Sequence, residues 1–274
     1  MFWSQRKSLQ YGRFLKGVYY PKRRDAGFFS LCSTSLLDLT QINSNVHRVN
    51  SGRLFLKYSS PSSQSRDLWS SFFRQPINCE VELPQDRTHF SQLHHHSVYR
   101  DVNLASYGPF LEKYFSPSND VLHRMANLKA KYGLALGSTI AVNIRGTDKY
   151  TEVESPPMST YLALAEEALS IEPGRKILLV TDQQQYLEVF QSKFRSKLVS
   201  FAELPTTLGD VVIHKLLKKS EREEFGLNFL ATVLLMSQSQ TVVTHTGNGA
   251  LWTSLYRGGT KDLTQLRGKD VFRS

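Results

Sequence analysis

Strand and helix patterns alternate along the chain from Gly137 onward, and this alternation limits the possible folds more than any other feature. Residues 138–144 and 176–181 are apolar runs rich in β-branched side chains, which is typical of buried strands. Weaker patterns predict strands at 197–201 and 241–244, and helices at 159–169, 184–190, 223–237 and from about 250. Such alternation predicts an α/β protein with a parallel sheet and right-handed crossovers.

Two of the predicted helices have features beyond their length. Ser159 is expected to cap the first helix, because a serine hydroxyl can accept from the free N–H groups of the first turn. Apolar side chains recur at helical spacing in the third helix, which indicates a face buried in the core rather than a binding site; they are Phe225, Phe229, Val233 and Met236.

The first half of the chain has a different pattern. Up to about Tyr132 the apolar segments are short and are separated by polar stretches such as residues 59–65. The 274 residues, of which 40% are hydrophobic and 21% charged, suffice for a folded core. We therefore predict two domains, at residues 1–133 and 134–274.

The net charge of +10 favours phosphate-bearing partners, which include nucleic acids, anionic lipids and nucleotide sugars. Basic and aromatic residues alternate at positions 3–24, ahead of the first acidic residue, Asp25. This pattern suits single-stranded nucleic acid or peripheral contact with a membrane surface. The more common alternative is a solvated basic face around a few core aromatics. No zinc-finger spacing or RNA-recognition signature accompanies it, so nucleic acid is the less favoured partner. The first ten residues lack a secretory apolar run, so a cytoplasmic location is expected.

Ligands of parallel α/β sheets bind beyond the carboxyl ends of the strands, which directs attention to three segments. Residues 143–152 contain Arg145 and Lys149, whose side chains can bind phosphate. Alternatively, this segment is a surface turn in which Asp148 pairs with Arg145. Asp182 can accept from a ribose or sugar hydroxyl, or cap the next helix. Residues 244–249 end in a glycine turn before a helix, where free amides favour anions.

These segments resemble three motifs of the GDP-fucose-dependent fucosyltransferases, including the α1,6- and nodulation fucosyltransferases. Residues 140–149 are similar to the family's arginine-containing strand and loop, residues 178–182 to its apolar strand ending in Thr-Asp, and residues 237–248 to its helix, strand and turn. The resemblance covers residues 138–257. It implies a GT-B fold, in which two Rossmann-like domains face each other across a cleft. The C-terminal domain would hold the donor and the N-terminal domain a glycan or glycolipid acceptor.

The resemblance also implies roles for individual residues in an inverting transfer of fucose. Arg145 would bind the β-phosphate of GDP-fucose, and Lys149 would stabilise the departing GDP or orient the acceptor. Glu152 would be the base, with Glu154 as its substitute. By the same resemblance, Asn248 or the amides of Gly247 and Gly249 would hold the diphosphate. The position of Asp182, His245 and Thr246 at the same strand ends adds them to the predicted donor contacts. For His245, a backbone partner at the strand end is an equal alternative.

Two differences from the family affect these expectations. Asn143 stands where the family has a nucleoside-contacting histidine, and Asn228 and Thr232 stand where it often has a guanine-reading carboxylate. A donor other than GDP-fucose is therefore an alternative. The sequence contains no Asp-x-Asp pair of the kind that binds metal in other glycosyltransferases, so we expect neither a metal nor a cofactor. The remaining alternatives are an inactive nucleotide-binding relative and a basic module that binds nucleic acid or anionic surfaces.

Overall fold

The computed structural model describes residues 54–55, 71–74, 80–81, 97–147, 153–209 and 211–274. The basic and aromatic pattern at residues 3–24 lies outside these ranges, as do Lys149 and Glu152. The described part therefore contains the predicted sheet and most of the residues of the predicted donor site.

One six-stranded sheet organises the described residues. A separate antiparallel pair is formed by β1 (Leu54–Phe55) and β2 (Glu80–Val81). The six strands of the main sheet are β3 (Thr139–Ile144), β4 (Lys176–Thr181), β5 (Leu198–Val199), β6 (Thr241–His245), β7 (Leu263–Arg267) and β8 (Asp270–Arg273). Their order is β5-β4-β3-β6-β7-β8, and only β8 is antiparallel to its neighbour. The predicted α/β class is confirmed, since the five parallel strands have the Rossmann order.

The helices pack on both faces of this sheet. They are α1 (Gly108–Tyr114), α2 (Asn119–Lys131), α3 (Met158–Ile171), α4 (Gln184–Phe194), α5 (Ile213–Leu216), α6 (Lys219–Gln238) and α7 (Asn248–Arg257). The prediction for Ser159 is wrong: α3 begins at Met158 and Pro157 occupies the cap position, because proline suits an extended helix entry. Within the described residues, no helix is both long and apolar enough to cross a bilayer.

Two apolar cores flank the sheet because side chains alternate along each strand. On β3, Ile140, Val142 and Ile144 pack into the core beneath α3 and α4. Ala141 faces the other way, into the core beneath α6 and α7. The next residue on that second face is the polar Asn143, which places an amide at the carboxyl end of β3 on the α6 side.

The second core also contains residues that precede the sheet. Val121 and Leu128 of α2 are buried in the same apolar cluster as the side chains of α6. Arg124 of α2 pairs with Glu224 of α6 and donates to the Asn228 side chain at 3.1 Å. Residues 97–131 therefore share a core with the sheet, and the predicted boundary at residue 133 does not separate two cores among the described residues. The division into two domains stays a prediction.

The β7–β8 hairpin was not anticipated from the sequence. Its strands are short and carry polar side chains, so the apolar pattern of a buried strand is absent. The turn contains Gly268 at φ +57°, a left-handed conformation that glycine adopts without strain. A glycine between two segments of alternating character was the available signal.

Candidate functional site

A cavity lies at the topological switch point of the sheet. β3 and β6 are neighbours, but the chain continues from β3 to β4 on one side and from β6 to β7 on the other. The cavity, of about 150 Å³, opens at their carboxyl ends and is bounded by β4, α6 and the start of α7. Six residues predicted from the sequence line it: Asn143, Arg145, Asp182, His245, Asn248 and Gly249.

Asn143 and His245 form the floor of the cavity at the ends of β3 and β6. The Asn143 side chain is buried, and its Nδ2 donates to Thr244 Oγ1 at 3.2 Å. The carbonyl oxygen of Asn143 lies 3.2 Å from His245 Nδ1. Since a carbonyl oxygen can only accept, His245 carries a hydrogen on Nδ1. His245 therefore has the predicted backbone partner and also lines the cavity, while its contact with a donor stays a prediction.

The loop after β3 is fastened to the carboxylate at the end of β4. Asp182 Oδ1 accepts from the Gly146 N–H at 2.8 Å, and Oδ2 accepts from Thr147 Oγ1 at 2.7 Å. Arg145 Nε lies 3.9 Å from Asp182 Oδ2. The carboxylate therefore shapes this loop and holds Arg145 at the edge of the cavity. It does not cap α4, whose N-cap residue is Gln183.

Gly146 is required by close packing against α4. A Cβ at this position would lie 2.5 Å from Gln183 Cδ and 2.9 Å from Tyr186 Cε2. We expect Gly146→Ala to lower the free energy of unfolding by about 1 kcal/mol, because Gln183 must move and give up its bond to the Gly209 carbonyl. Urea denaturation measures this difference.

Gly137→Ala is the matched control for that experiment, since Gly137 is exposed and nothing lies within 4 Å of a Cβ built there. The control is expected to leave the free energy of unfolding unchanged or slightly higher, because Gly137 lies in a short 3₁₀ helix at Leu136–Ser138 and alanine has less backbone freedom to lose there than glycine. Equal stability of the Gly146 variant and the parent chain would contradict the described packing.

The first turn of α7 presents unpaired polar groups to the cavity. Within the described residues, the N–H groups of Asn248, Gly249 and Ala250 have no hydrogen-bond partner, and the first amide bonded to the preceding turn is that of Leu251. The Asn248 side chain is buried, lines the cavity and has no partner in the same part of the chain. A helix start with free amides and a buried unpaired carboxamide is suited to bind an anion.

The opposite wall of the cavity is aromatic. Phe225, Phe229 and Val233 of α6 line it together with Trp252 and Tyr256 of α7. The prediction that this stripe belongs to the core is confirmed for Val233 and Met236, and Phe229 packs against that core. The stripe also has a second role that was not predicted, since Phe225, Phe229 and Val233 line the cavity. Aromatic side chains at helical spacing look alike whether they face a core or a cavity, so the sequence held no signal to distinguish them.

Two residues of α6 that were predicted to contact the donor do not line the cavity. Asn228 accepts from Arg124 of α2, and Thr232 donates to the Asn228 carbonyl at 2.7 Å. Neither residue lines the cavity, because the adjacent stripe of α6 occupies that wall. The structure therefore gives these two residues contacts within the protein, between α6 and α2 and along α6.

Two predicted contacts of the β6–α7 turn are also engaged within the protein. Thr246 Oγ1 donates to the Leu266 carbonyl at 2.9 Å, and neither Thr246 nor Gly247 lines the cavity. The Gly247 N–H, predicted to be free for phosphate, donates to Tyr99 Oη at 3.0 Å. Gly249 remains at the cavity wall, with the site of its absent Cβ 3.4 Å from Phe229 Cζ.

Of the predicted base, Glu152, and its substitute, Glu154, only Glu154 lies within the described residues. Glu152 and the neighbouring Lys149 fall outside the described residues. Glu154 is exposed, and its carbonyl accepts from the Gly268 N–H at 2.9 Å, so it lies beside the β7–β8 turn rather than in the cavity wall. Over the described ranges, no three His, Cys, Asp or Glu side chains are grouped as a metal site requires. Metal independence stays a prediction.

Comparison with solved structures finds NodZ α1,6-fucosyltransferases. The match to the enzyme co-crystallised with GDP has 15% identity and a TM-score of 0.40, covering 57% of this chain and 47% of that chain. The enzyme soaked with GDP-fucose matches with 14% identity and a TM-score of 0.42, covering 62% of this chain and 53% of that chain. NodZ from Bradyrhizobium matches with 15% identity and a TM-score of 0.39, covering 58% of this chain and 48% of that chain. The chain thus spans about half the length of these structures. No family model and no curated protein matches the sequence, and these scores do not establish a family.

Proposed function

We propose that the chain is a nucleotide-sugar-dependent glycosyltransferase whose donor binds in the cavity at the switch point. The observation that carries this proposal is the meeting of Arg145 with the free first turn of α7 at one cavity. A guanidinium and backbone amides are the groups that bind a diphosphate. The +10 net charge supports the same class of ligand.

The residues that line the cavity offer partners for the two parts of a nucleoside diphosphate. The diphosphate would lie between Arg145 and the start of α7, where Asn248 can donate to it. The base would lie against the aromatic wall formed by Phe225, Phe229 and Trp252, which offers stacking surfaces. Asn143 Nδ2 already donates to Thr244, while its Oδ1 has no partner within the described part of the chain. That oxygen is available to a ligand donor.

The same groups would assist the departure of the nucleotide. Transfer of a sugar from its diphosphate donor passes through an oxocarbenium-like state, while negative charge grows on the diphosphate. Cations and amides already placed around the diphosphate stabilise that charge where it develops. Arg145 and the α7 amides would act in this way without a metal. The base on the acceptor hydroxyl stays assigned to Glu152 by the sequence resemblance alone.

Fucose is the proposed sugar and GDP the proposed carrier, because the three sequence motifs resemble those of GDP-fucose-dependent enzymes. The reaction proposed is an inverting, metal-independent transfer from GDP-fucose to a glycan or glycolipid acceptor. Asn143 in place of the family's histidine makes the nucleoside the part of the donor most in need of a direct test. An experiment must therefore compare bases as well as detect binding.

Calorimetric titration with GDP, UDP, ADP and a short single-stranded oligonucleotide tests this proposal. We expect GDP to bind with a dissociation constant on the order of 10–100 μM, in the range of ordinary enzyme KM values, with and without a chelator. Preference for UDP or ADP would support a nucleotide site in the cavity but would overturn the proposal that the nucleotide is GDP. Tight oligonucleotide binding that weakens steeply with salt, with no nucleotide binding, would overturn the enzyme assignment.

If GDP binds, incubation with GDP-fucose and candidate glycans separates an enzyme from an inactive relative. Release of GDP that depends on an acceptor is the expected result. Binding of GDP and GDP-fucose without release in the presence of any acceptor tested would favour the inactive relative, which shares the site but not the turnover.

A further inference from the structure

Tyr99 occupies a position that the donor-site prediction did not include. It belongs to a short 3₁₀ helix at Tyr99–Asp101, ahead of the parallel sheet, and its side chain is fully buried. Its hydroxyl lies at the β6–α7 turn, where it donates to the Gly247 carbonyl at 2.9 Å and accepts from the Gly247 N–H at 3.0 Å. One hydroxyl therefore holds both backbone groups of the residue that precedes α7.

Gln265 on β7 completes a buried network around the same turn. Its Oε1 accepts from the Tyr99 N–H at 2.8 Å. Its Nε2 donates to Thr246 Oγ1 at 2.9 Å and to the Ser97 carbonyl at 2.8 Å. The side chain is 1% exposed, so these bonds are shielded from water. The two residues before α7 are thus fixed from two sides, by Tyr99 and by Gln265.

We propose that Tyr99 and Gln265 form a clamp that positions the first turn of α7 for anion binding. The clamp holds the Gly247 backbone, and the Gly247 carbonyl in turn accepts from the Leu251 N–H at 2.9 Å. With Gly247 and Leu251 fixed, the three amides between them have no partner among the described residues, and two of the residues that carry them, Asn248 and Gly249, line the cavity. Tyr99 and Gln265 do not line the cavity, so both are positioning residues.

The protonation of Tyr99 suits this role. Burial raises the pKa of its hydroxyl well above the ordinary tyrosine range, although the bond to Gly247 acts in the opposite direction. The hydroxyl therefore keeps its proton at neutral pH and continues to donate to the Gly247 carbonyl. Desolvation also means that no water replaces the hydroxyl without a rearrangement of the surrounding core.

This inference rests on the proposed function only for its ligand, and the first readout needs no ligand. In Tyr99→Phe the ring still fills its place in the core and only the hydroxyl is lost. We expect hydrogen exchange of the Gly247 amide, followed by NMR, to accelerate about tenfold, the equivalent of one lost hydrogen bond. Gln265→Met, which keeps the volume and removes the polar groups, is expected to accelerate exchange at Thr246 and Gly247.

Tyr161→Phe is the matched control, since Tyr161 is a buried tyrosine in the core on the other face of the sheet. It is expected to leave Gly247 exchange unchanged. The second readout is GDP affinity, which we expect to fall about tenfold in Tyr99→Phe and not in Tyr161→Phe.

The outcomes separate the clamp from the proposed function. If the parent chain binds no nucleoside diphosphate, the proposed function fails and amide exchange alone decides on the clamp. If the parent binds GDP but Tyr99→Phe leaves both the Gly247 exchange rate and the GDP affinity unchanged, the clamp is overturned and the proposed function stands. A lowered melting temperature with neither of these changes would show that Tyr99 is structural only, which also overturns the clamp.

Discussion

Replacing Arg145 with alanine is expected to lower the affinity for GDP at least 100-fold, equal to about 2.7 kcal/mol of binding free energy. A guanidinium can donate two parallel bonds to phosphate oxygens, and each charge-assisted bond contributes about 1.5–3 kcal/mol when formed. Calorimetric titration of the variant with GDP measures this loss. Arg145→Lys is expected to fall between the parent and the alanine variant, because lysine keeps the charge but not the fork.

The stability of the Arg145 variant should change little. Its side chain is 30% exposed and its Nε lies 3.9 Å from Asp182, so the ion pair contributes at most about 1 kcal/mol. Lys197→Ala removes the same charge at the amino end of β5, away from the carboxyl ends of the strands where the cavity opens. This variant is expected to bind GDP with the affinity of the parent. Equal affinity in the Arg145 and Lys197 variants would show that only the overall charge matters and would refute the assigned site.

The second large effect is expected when Asn248 is replaced. The parent chain should bind GDP most tightly, Asn248→Ala more weakly and Asn248→Asp most weakly. Alanine removes one donor from the cavity and is expected to weaken binding about tenfold. Aspartate has nearly the same shape but repels phosphate, and we expect a loss on the order of 100-fold or more. Titration of the three proteins with GDP gives the order directly.

This order distinguishes an anion site from a structural cap. A carboxylate at a helix start interacts favourably with the helix dipole, which offsets part of the cost of its burial. The free energy of unfolding of Asn248→Asp is therefore expected to stay within about 1 kcal/mol of the parent. Asn119→Asp makes the same change at the exposed first residue of α2 and should not affect GDP binding. If the Asn248→Asp variant bound GDP as well as the parent, no phosphate could lie at this position.

Much of the sheet was predictable because its strands are buried on both faces. A buried parallel strand is a continuous apolar run, and the run at 176–181 coincides with β4. The short strands β7 and β8 lack that pattern and were missed. Helix α2 was missed for a related reason, since most of its side chains are polar and only a narrow stripe that includes Val121 and Leu128 is buried.

The site was predictable where it depends on strand order. Residues at the ends of adjacent parallel strands must meet at one edge, which is why Arg145, Asp182 and Asn248 lie at one cavity. The choice between the faces of α6 could not be predicted in this way. Apolar side chains occur around much of this helix, so the sequence did not show that Phe225 and Phe229 face the cavity while Asn228 faces α2.

The sequence by itself determined the α/β class, the order of most elements and the strand ends that bear the polar groups, because these follow from local apolar patterns and from the rules of parallel sheets. Only the tertiary structure decided how those groups are held. The Asp182 carboxylate is committed to its own neighbouring loop, and the Gly247 backbone is held by a tyrosine 148 residues away in the chain. Such contacts depend on how distant segments pack together, and no local pattern records them.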